Sequence, residues 1–213
     1  MTGARAATDA DREDGSEPER PDLCGDRRVA RGSHTRDRIL EALIDLIDAG
    51  DLSPTPRLVA QRANVAVRTV YNHFSPLDEL FIAAADRQVS RYGSVITIVP
   101  ASGPLEPRIE IITRQRRHLF EAVGPVLRAS SGRVPTSPEL AEILDRQSHL
   151  LRFQLARTLG PEIRALGTQA RTVLDNLEAL TGWQSWSSLR FAFGYSAPQA
   201  EQSMLFTMAR VLG

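Results

Sequence analysis

The sequence predicts an all-α protein in which a three-helix unit with a helix-turn-helix precedes a larger helical region. Three observations predict it. Beyond Thr35, apolar residues recur at helical spacing in segment after segment. Ser or Thr followed closely by Pro marks helix starts at Thr55-Pro56, Ser75-Pro76, Ser137-Pro138 and Ser196-Ala197-Pro198. Neither strand alternation nor an internal repeat of useful period interrupts this pattern.

Residues 1–34 are rich in Asp, Glu, Arg, Gly and Pro, with few large aliphatics. Such a segment buries too little apolar surface to offset its ordering entropy, so a disordered tail is expected. It ends in a basic cluster, Arg27, Arg28 and Arg31, continued by Arg36 and Arg38. Two readings stand side by side: an arm entering a minor groove, or a solvated tail.

A first helix is expected from about Thr35 to Ala49, with Ile39, Leu43, Leu46 and Ile47 on one stripe and Gly50 ending it. Thr55 then caps a short helix that has Pro56 at its first position and Leu58, Val59 and Ala63 at helical spacing. Asn64 stands where the chain must turn sharply, and Asn visits the left-handed region more readily than most residues. Val65 anchors the turn. A second short helix starts at Val67 and places Val70 and Phe74 one turn apart, facing the first.

What remains outside on that helix is Arg68, Thr69, Tyr71, Asn72 and His73. An Arg fork fits the O6/N7 edge of guanine and Asn fits adenine, while Thr, Tyr and His donate to phosphate. This is the pattern of a helix-turn-helix reader of double-stranded DNA. Arg36, Thr55, Arg57 and Val67 complete the expected contact surface.

The stretch Thr55, Val59, Ala60, Ala63, Val65, Thr69, Tyr71, His73, Phe74 and Leu80 resembles the DNA-binding domain of the TetR family of bacterial transcription regulators. The family's pattern is of the type T-x-x-x-I-A-x-x-A-G-V-S-x-x-T-x-Y-x-H-F-x-x-K-x-x-L, and the likeness runs from about Thr35 to Arg91. Three positions depart from it. Asn64 replaces Gly, which the turn tolerates. Ala66 replaces Ser, removing a side-chain N-cap at a general cost of about 0.5–2 kcal/mol. Leu77 replaces a Lys that in the family often lies near a phosphate.

A further helix is expected to open on Ser75-Pro76-Leu77-Asp78, with Ser75 as cap, and to carry Leu80, Phe81, Ala84 and Val89 inward. Residues 93–106, with Gly, Ser and Pro, read as a connection. The expected organisation is a tail (1–34), a helix-turn-helix domain (35–92) and a helical effector-binding and dimerisation domain (93–213). Within the last, helices are expected from about Pro107 to Ala129, from Thr136-Ser137-Pro138-Glu139 to a stop at Gly160-Pro161, over 168–190, and over 196–212.

The resemblance implies that the final two helices pair with a second subunit, and Leu177, Met204, Leu205, Met208, Val211 and Leu212 are the expected homodimer interface. It also implies a pocket for a small apolar effector in the middle helices. His118, Phe120, Phe153, Trp183 and Trp186 are its candidate walls, since apolar pockets combine aromatic sides with few polar groups. Release of DNA then follows if the effector prefers the conformer whose recognition helices are wrongly spaced.

Composition bounds the remaining possibilities. The chain of 213 residues has 26 Arg, no Lys, and a formal net charge of zero. Between Thr35 and Arg91 there are seven Arg against eight acids, so DNA affinity must come from a local face. The lone cysteine, Cys24, suits a reducing cytoplasm, and the charged N-terminus has no signal-peptide core. The longest apolar run, Val95 to Val99, is too short for a bilayer.

Enzyme chemistry finds no support: no cofactor fingerprint, nucleophile elbow or P-loop occurs. Among His34, His73, His118 and His149, no two lie at metal-ligand spacing. The expectation is a regulator, most simply a repressor, binding a palindromic operator as a homodimer without metal or cofactor. The alternative is a helical interaction module of the same fold that has lost DNA or effector binding.

Overall fold

The computed structural model describes residues 23–131 and 137–213. The expected tail lies mostly outside the described residues. From Leu23, however, the chain is already helical, because α1 spans Leu23–Asp48 rather than starting at Thr35. Extending a formed helix gains one hydrogen bond per residue fixed, without repeating the cost of nucleation. Residues 23–35, the described residues before Arg36, belong to a first unit. Residues 36–213 form a second, compact unit that carries everything below.

Two short helices follow, α2 (Pro56–Arg62) and α3 (Val67–His73), and then α4 (Asp78–Tyr92). Their apolar sides meet α1 in one core of Ile39, Leu43, Ile47, Val59, Ala60, Val70, Phe74, Leu80 and Ala84. Leu58, expected among the inward residues, is instead 42% exposed; Val59, one residue on, takes the buried position. The start of α4 also differs from expectation. Ser75 does not cap it; Glu79 and Leu80 donate to the carbonyls of Pro76 and Leu77 at 3.1 and 3.0 Å, a tight i→i+3 opening.

A 3-10 turn at Gly93–Val95 leads into the connection, and α5 (Leu105–Ser131) begins two residues ahead of the expected Pro107. Long helix α6 (Pro138–Thr158) starts as read: Ser137 Oγ accepts from Leu140 N at 3.2 Å. Gly160-Pro161 ends that helix but does not stop helicity. Pro161 instead sits in the first turn of short α7 (Gly160–Ala165), where its missing N–H is harmless. Val126 and Ala129 of α5 and Leu140 of α6 enter the same core as α1–α4, so apolar packing runs without a break across the expected 92/93 boundary.

The helix expected over 168–190 is divided. Helix α8 covers Ala170–Thr181, α9 covers Trp183–Ser187, and a π-type turn covers Ser188–Ala192. Between α8 and α9, Gly182 is extended (φ −84°, ψ 176°). A Cβ there would stand 3.0 Å from the Glu178 carbonyl, so a larger residue at this crossing needs the backbone to yield by a few tenths of an ångström. The last helix, α10 (Ala197–Leu212), opens on a full capping box: Ser196 Oγ accepts from Gln199 N, and Gln199 Oε1 accepts from Ser196 N. Among the described residues, every regular element is helical, and no helix is long and apolar enough to cross a membrane.

Candidate nucleic-acid interface and ligand cleft

The turn between α2 and α3 is built from both ends. Thr55 Oγ1 accepts from Leu58 N at 3.3 Å, capping α2. Asn64 sits at φ 52°, and Val65 N donates to the Ala60 carbonyl at 2.9 Å, closing the turn. Arg38 reaches in from α1 and donates through Nη2 to the carbonyls of Ala63 and Asn64. Arg38, the last residue of the basic cluster in the sequence, serves here to hold the end of α2. Ala66, which stands where the family pattern has Ser, precedes α3 as its N-cap residue and gives no side-chain cap.

Helix α3 rests on Val70, with Phe74 as its C-cap, both fully buried. Its other side is solvent-facing: Val67, Arg68, Tyr71 and Asn72 are exposed, while Thr69 and His73 are half-buried at its margins. Arg57 is exposed on α2. Arg36 is exposed as well, with its guanidinium 4.5 Å above the Phe74 ring. The side chains of Arg27, Arg28 and Arg31 lie outside the described residues.

Neutral overall charge conceals a local asymmetry. From Leu52 to Leu77 there is no Asp or Glu at all. Acids of α1 draw in three other arginines. Arg62 pairs with Asp45 at 2.7 Å, Arg87 with Asp37 and Glu41, and Arg91 with Glu41 at 3.0 Å. Arg57 and Arg68 are left without an ion pair among the described residues. The helix-turn-helix therefore presents two guanidinium groups without an ion pair on a segment that has no carboxylate of its own.

The larger region contains a cleft of about 370 Å³. Phe120, Leu144, Leu151 and Trp183 form its apolar sides, and Gln147, Asp175 and Glu178 are its main polar lining. Phe120 is the hub. Its ring centroid lies 5.9 Å from each of Trp183 and Trp186, tilted by 59° and 41°. Trp186 is fully buried behind it and does not line the cleft.

With Trp186, two more of the expected wall residues do not line this cleft. Phe153 is 53% exposed, on the stripe of α6 opposite Leu151 and Leu155. His118 is exposed on the polar stripe of α5, one turn from Arg114 and Glu121. Stripe membership on each helix carried that signal; aromatic or titratable character alone did not.

The charges around the cleft are arranged in pairs. Arg152 bridges Asp175 at 2.7 Å and also binds Glu178, and these hydrogen bonds hold its guanidinium above the usual range. Arg116 is fully buried between α5 and α6, with Nη2 donating to the Leu151 carbonyl at 2.9 Å. Burial lowers its pKa to about 9, and the charge of Glu178 works in the opposite direction. Sequence reading passed over Arg116, whose neighbours at i−4 and i+4, Ile112 and Phe120, place it on an apolar stripe.

The expected dimer residues divide as well. Leu177, Met204 and Met208 are buried within this chain's own core, and Leu205, Val211 and Leu212 are partly covered beside it. Leu177 and Met208 pack with Ile109, Ile112, Leu155, Leu159 and Ile163, so the stripe read as an interface is largely consumed by folding. Leu180 and Phe206 stay exposed on α8 and α10, at 40% and 58%.

No protein-family model matches the chain, and no curated protein does. Solved structures do. A TetR-family transcriptional regulator from Streptomyces coelicolor aligns at a TM-score of 0.66 and 16% identity, over 84% of this chain and 80% of that one. A transcriptional regulator from Rhodococcus sp. RHA1 aligns at 0.63 and 24%, over 83% and 95%. The multidrug binding protein EbrR, in complex with imidazole, aligns at 0.55 and 18%, over 84% and 94%. The chain thus has the fold of TetR-family transcriptional regulators, with a helix-turn-helix near its start.

Proposed function

We propose that this protein is a DNA-binding transcriptional regulator, working as a repressor on a palindromic operator, and not an enzyme. The observation that carries the reading is the surface of α3: Arg68, Tyr71 and Asn72 exposed and Arg68 unpaired, on a carboxylate-free segment with Val70 and Phe74 buried behind it. The exposed side of the helix is the one that would enter a major groove. Arg68 and Asn72 then meet base edges, while Thr55, Arg57, Thr69, Tyr71 and His73 meet phosphates.

One such helix covers one half-site. A palindrome needs a second about 34–36 Å away, hence a homodimer acting in the cytoplasm. We place its interface on the outer sides of α8 and α10, around Leu180 and Phe206, with Leu205, Val211 and Leu212 at its edge. The cleft at Phe120 and Trp183 has the volume of a small-molecule site and is read as the effector pocket.

The test is selection of bound fragments from a random duplex library by the full chain, followed by gel shift at low salt. A recovered inverted repeat with two half-sites one helical turn apart supports the reading. Failure to retard any duplex would leave a helical interaction module of the same fold. Leu180→Asp combined with Phe206→Asp, at two exposed positions outside the core, should abolish dimers in sedimentation; a surviving dimer would show that the interface lies elsewhere.

A further inference from the structure

Gln147 stands in an unusual position. It lines the cleft at Phe120 and Trp183, and it also lines a second cleft of about 280 Å³ bounded by Val89 and Ser90 of α4 and by Ile96. Leu151, one turn further along α6, is shared by the two clefts in the same way, and Gln147 is the polar residue they have in common. Its Nε2 is buried and has no hydrogen-bond partner. A buried amide N–H left unpaired is costly, and the terminal torsion of a glutamine is soft enough to turn the group toward either cleft.

The walls carry no spare charge to greet an ion. Asp175 and Glu178 are both engaged by Arg152, and Glu178 additionally faces the buried charge of Arg116. A ligand carboxylate would meet two carboxylates in the lining, and a ligand cation would have to compete with Arg152. What the cleft offers without competition is the half-exposed indole of Trp183, backed by the buried ring of Phe120, and a lining donor that is buried without a partner, Gln147 Nε2.

Taking the cleft as the effector site proposed above, we propose that it selects an uncharged planar aromatic molecule carrying a carbonyl-type acceptor, which Gln147 recognises through Nε2. The molecule lies against the Trp183 indole, at the edge of the buried Phe120, with its carbonyl directed at α6. Chemically this is an aryl ketone, lactone, quinone or amide, more polar than a bare hydrocarbon and not a salt.

The experiment uses the full chain without DNA and four matched probes: 2-acetylnaphthalene, 2-ethylnaphthalene, 2-naphthoate and 2-naphthylmethylammonium. Trp183 and Trp186 are the chain's two tryptophans and both adjoin Phe120, so quenching of intrinsic fluorescence reports this cleft. The ketone should quench saturably and bind about tenfold tighter than the ethyl compound, one hydrogen bond's worth of discrimination. Gln147→Glu, which keeps the shape and removes the donor, and Gln147→Leu should both erase that preference, with unchanged circular dichroism confirming folding.

Equal binding of ketone and hydrocarbon, tighter binding of either ion, or no saturable quenching by any probe would overturn the proposal. So would a preference that survives both substitutions. Failure of the DNA selection with the ketone preference intact would overturn the regulatory reading while leaving the ligand class supported.

Discussion

Arg38 Nη2 lies 3.2 Å from the carbonyl oxygen of Asn64 and donates to it across 26 positions of sequence, and the same nitrogen also serves the Ala63 carbonyl. A helix C-terminus exposes carbonyls that its own backbone cannot satisfy, and a cation there also meets the negative end of the helix dipole. Arg38 thereby fixes where α2 ends and how α3 departs from it. Removing it as Arg38→Ala should lower stability by about 1–2 kcal/mol, read as a shift in the urea midpoint. Asn64→Val should cost a similar ~1–2 kcal/mol, because a branched side chain is forced to φ 52°. An unchanged midpoint in both variants would show that the turn is held by core packing alone.

Arg68 and Tyr71 share the exposed side of α3 but should answer differently. Arg68→Ala should weaken operator binding by about 1–3 kcal/mol and relax selectivity at one base position. Tyr71→Phe should weaken all sequences alike, since a phosphate contact carries no base information. Competition binding across single-base operator variants separates the two. A uniform loss for Arg68→Ala would assign it to the backbone instead.

Arg116 is a buried cation with one carbonyl partner and two orphan nitrogens, Nε and Nη1. Replacing a poorly compensated buried charge with an apolar side chain of similar length is often stabilising by about 1–4 kcal/mol. Arg116→Met should therefore raise the thermal midpoint at pH 7. The sign with pH follows from its lowered pKa of about 9. Below that value both folded and unfolded chains hold the proton and the folded chain bears the full penalty. Above it the folded chain releases the proton first, so the penalty fades as pH rises toward the ordinary arginine value. The advantage of Arg116→Met should shrink above pH 9; an advantage constant with pH would mean that the guanidinium stays charged.

The helix-turn-helix was legible because its signals are local. A cap at Thr55, a turn residue at Asn64 and a buried pair at Val70 and Phe74 each follow from spacing within a few residues. Arg38 was not legible, since its partners lie 25 and 26 residues away and nothing in its own neighbourhood marks it. The same limit explains the cleft. Phe120 and Trp183 meet through tertiary packing, whereas Phe153 and His118 have the right chemistry on the wrong stripe. Met204, Met208 and Leu177 show a further ambiguity: an apolar helix stripe says that something covers it, not whether the cover is the same chain.

Gly124 tests how firmly the cleft's aromatic wall is set. A Cβ built there would lie 3.3 Å from the Trp183 ring, so the indole is laid directly on the backbone of α5. Two effects oppose each other in Gly124→Ala. Alanine gains up to about 1 kcal/mol over glycine inside a helix, whereas a contact this tight needs the neighbour to yield by a few tenths of an ångström. Trp183 is half-buried and borders open cleft, so it has room to move, and the helical gain should prevail. The thermal midpoint should hold or rise, while tryptophan emission shifts as the indole tips into the cleft. Binding of a naphthyl ketone should weaken in the same variant, because the ring then occupies part of the probe's space. A midpoint lower by several degrees with unaltered emission would mean that Trp183 is pinned by Phe120 and cannot give way.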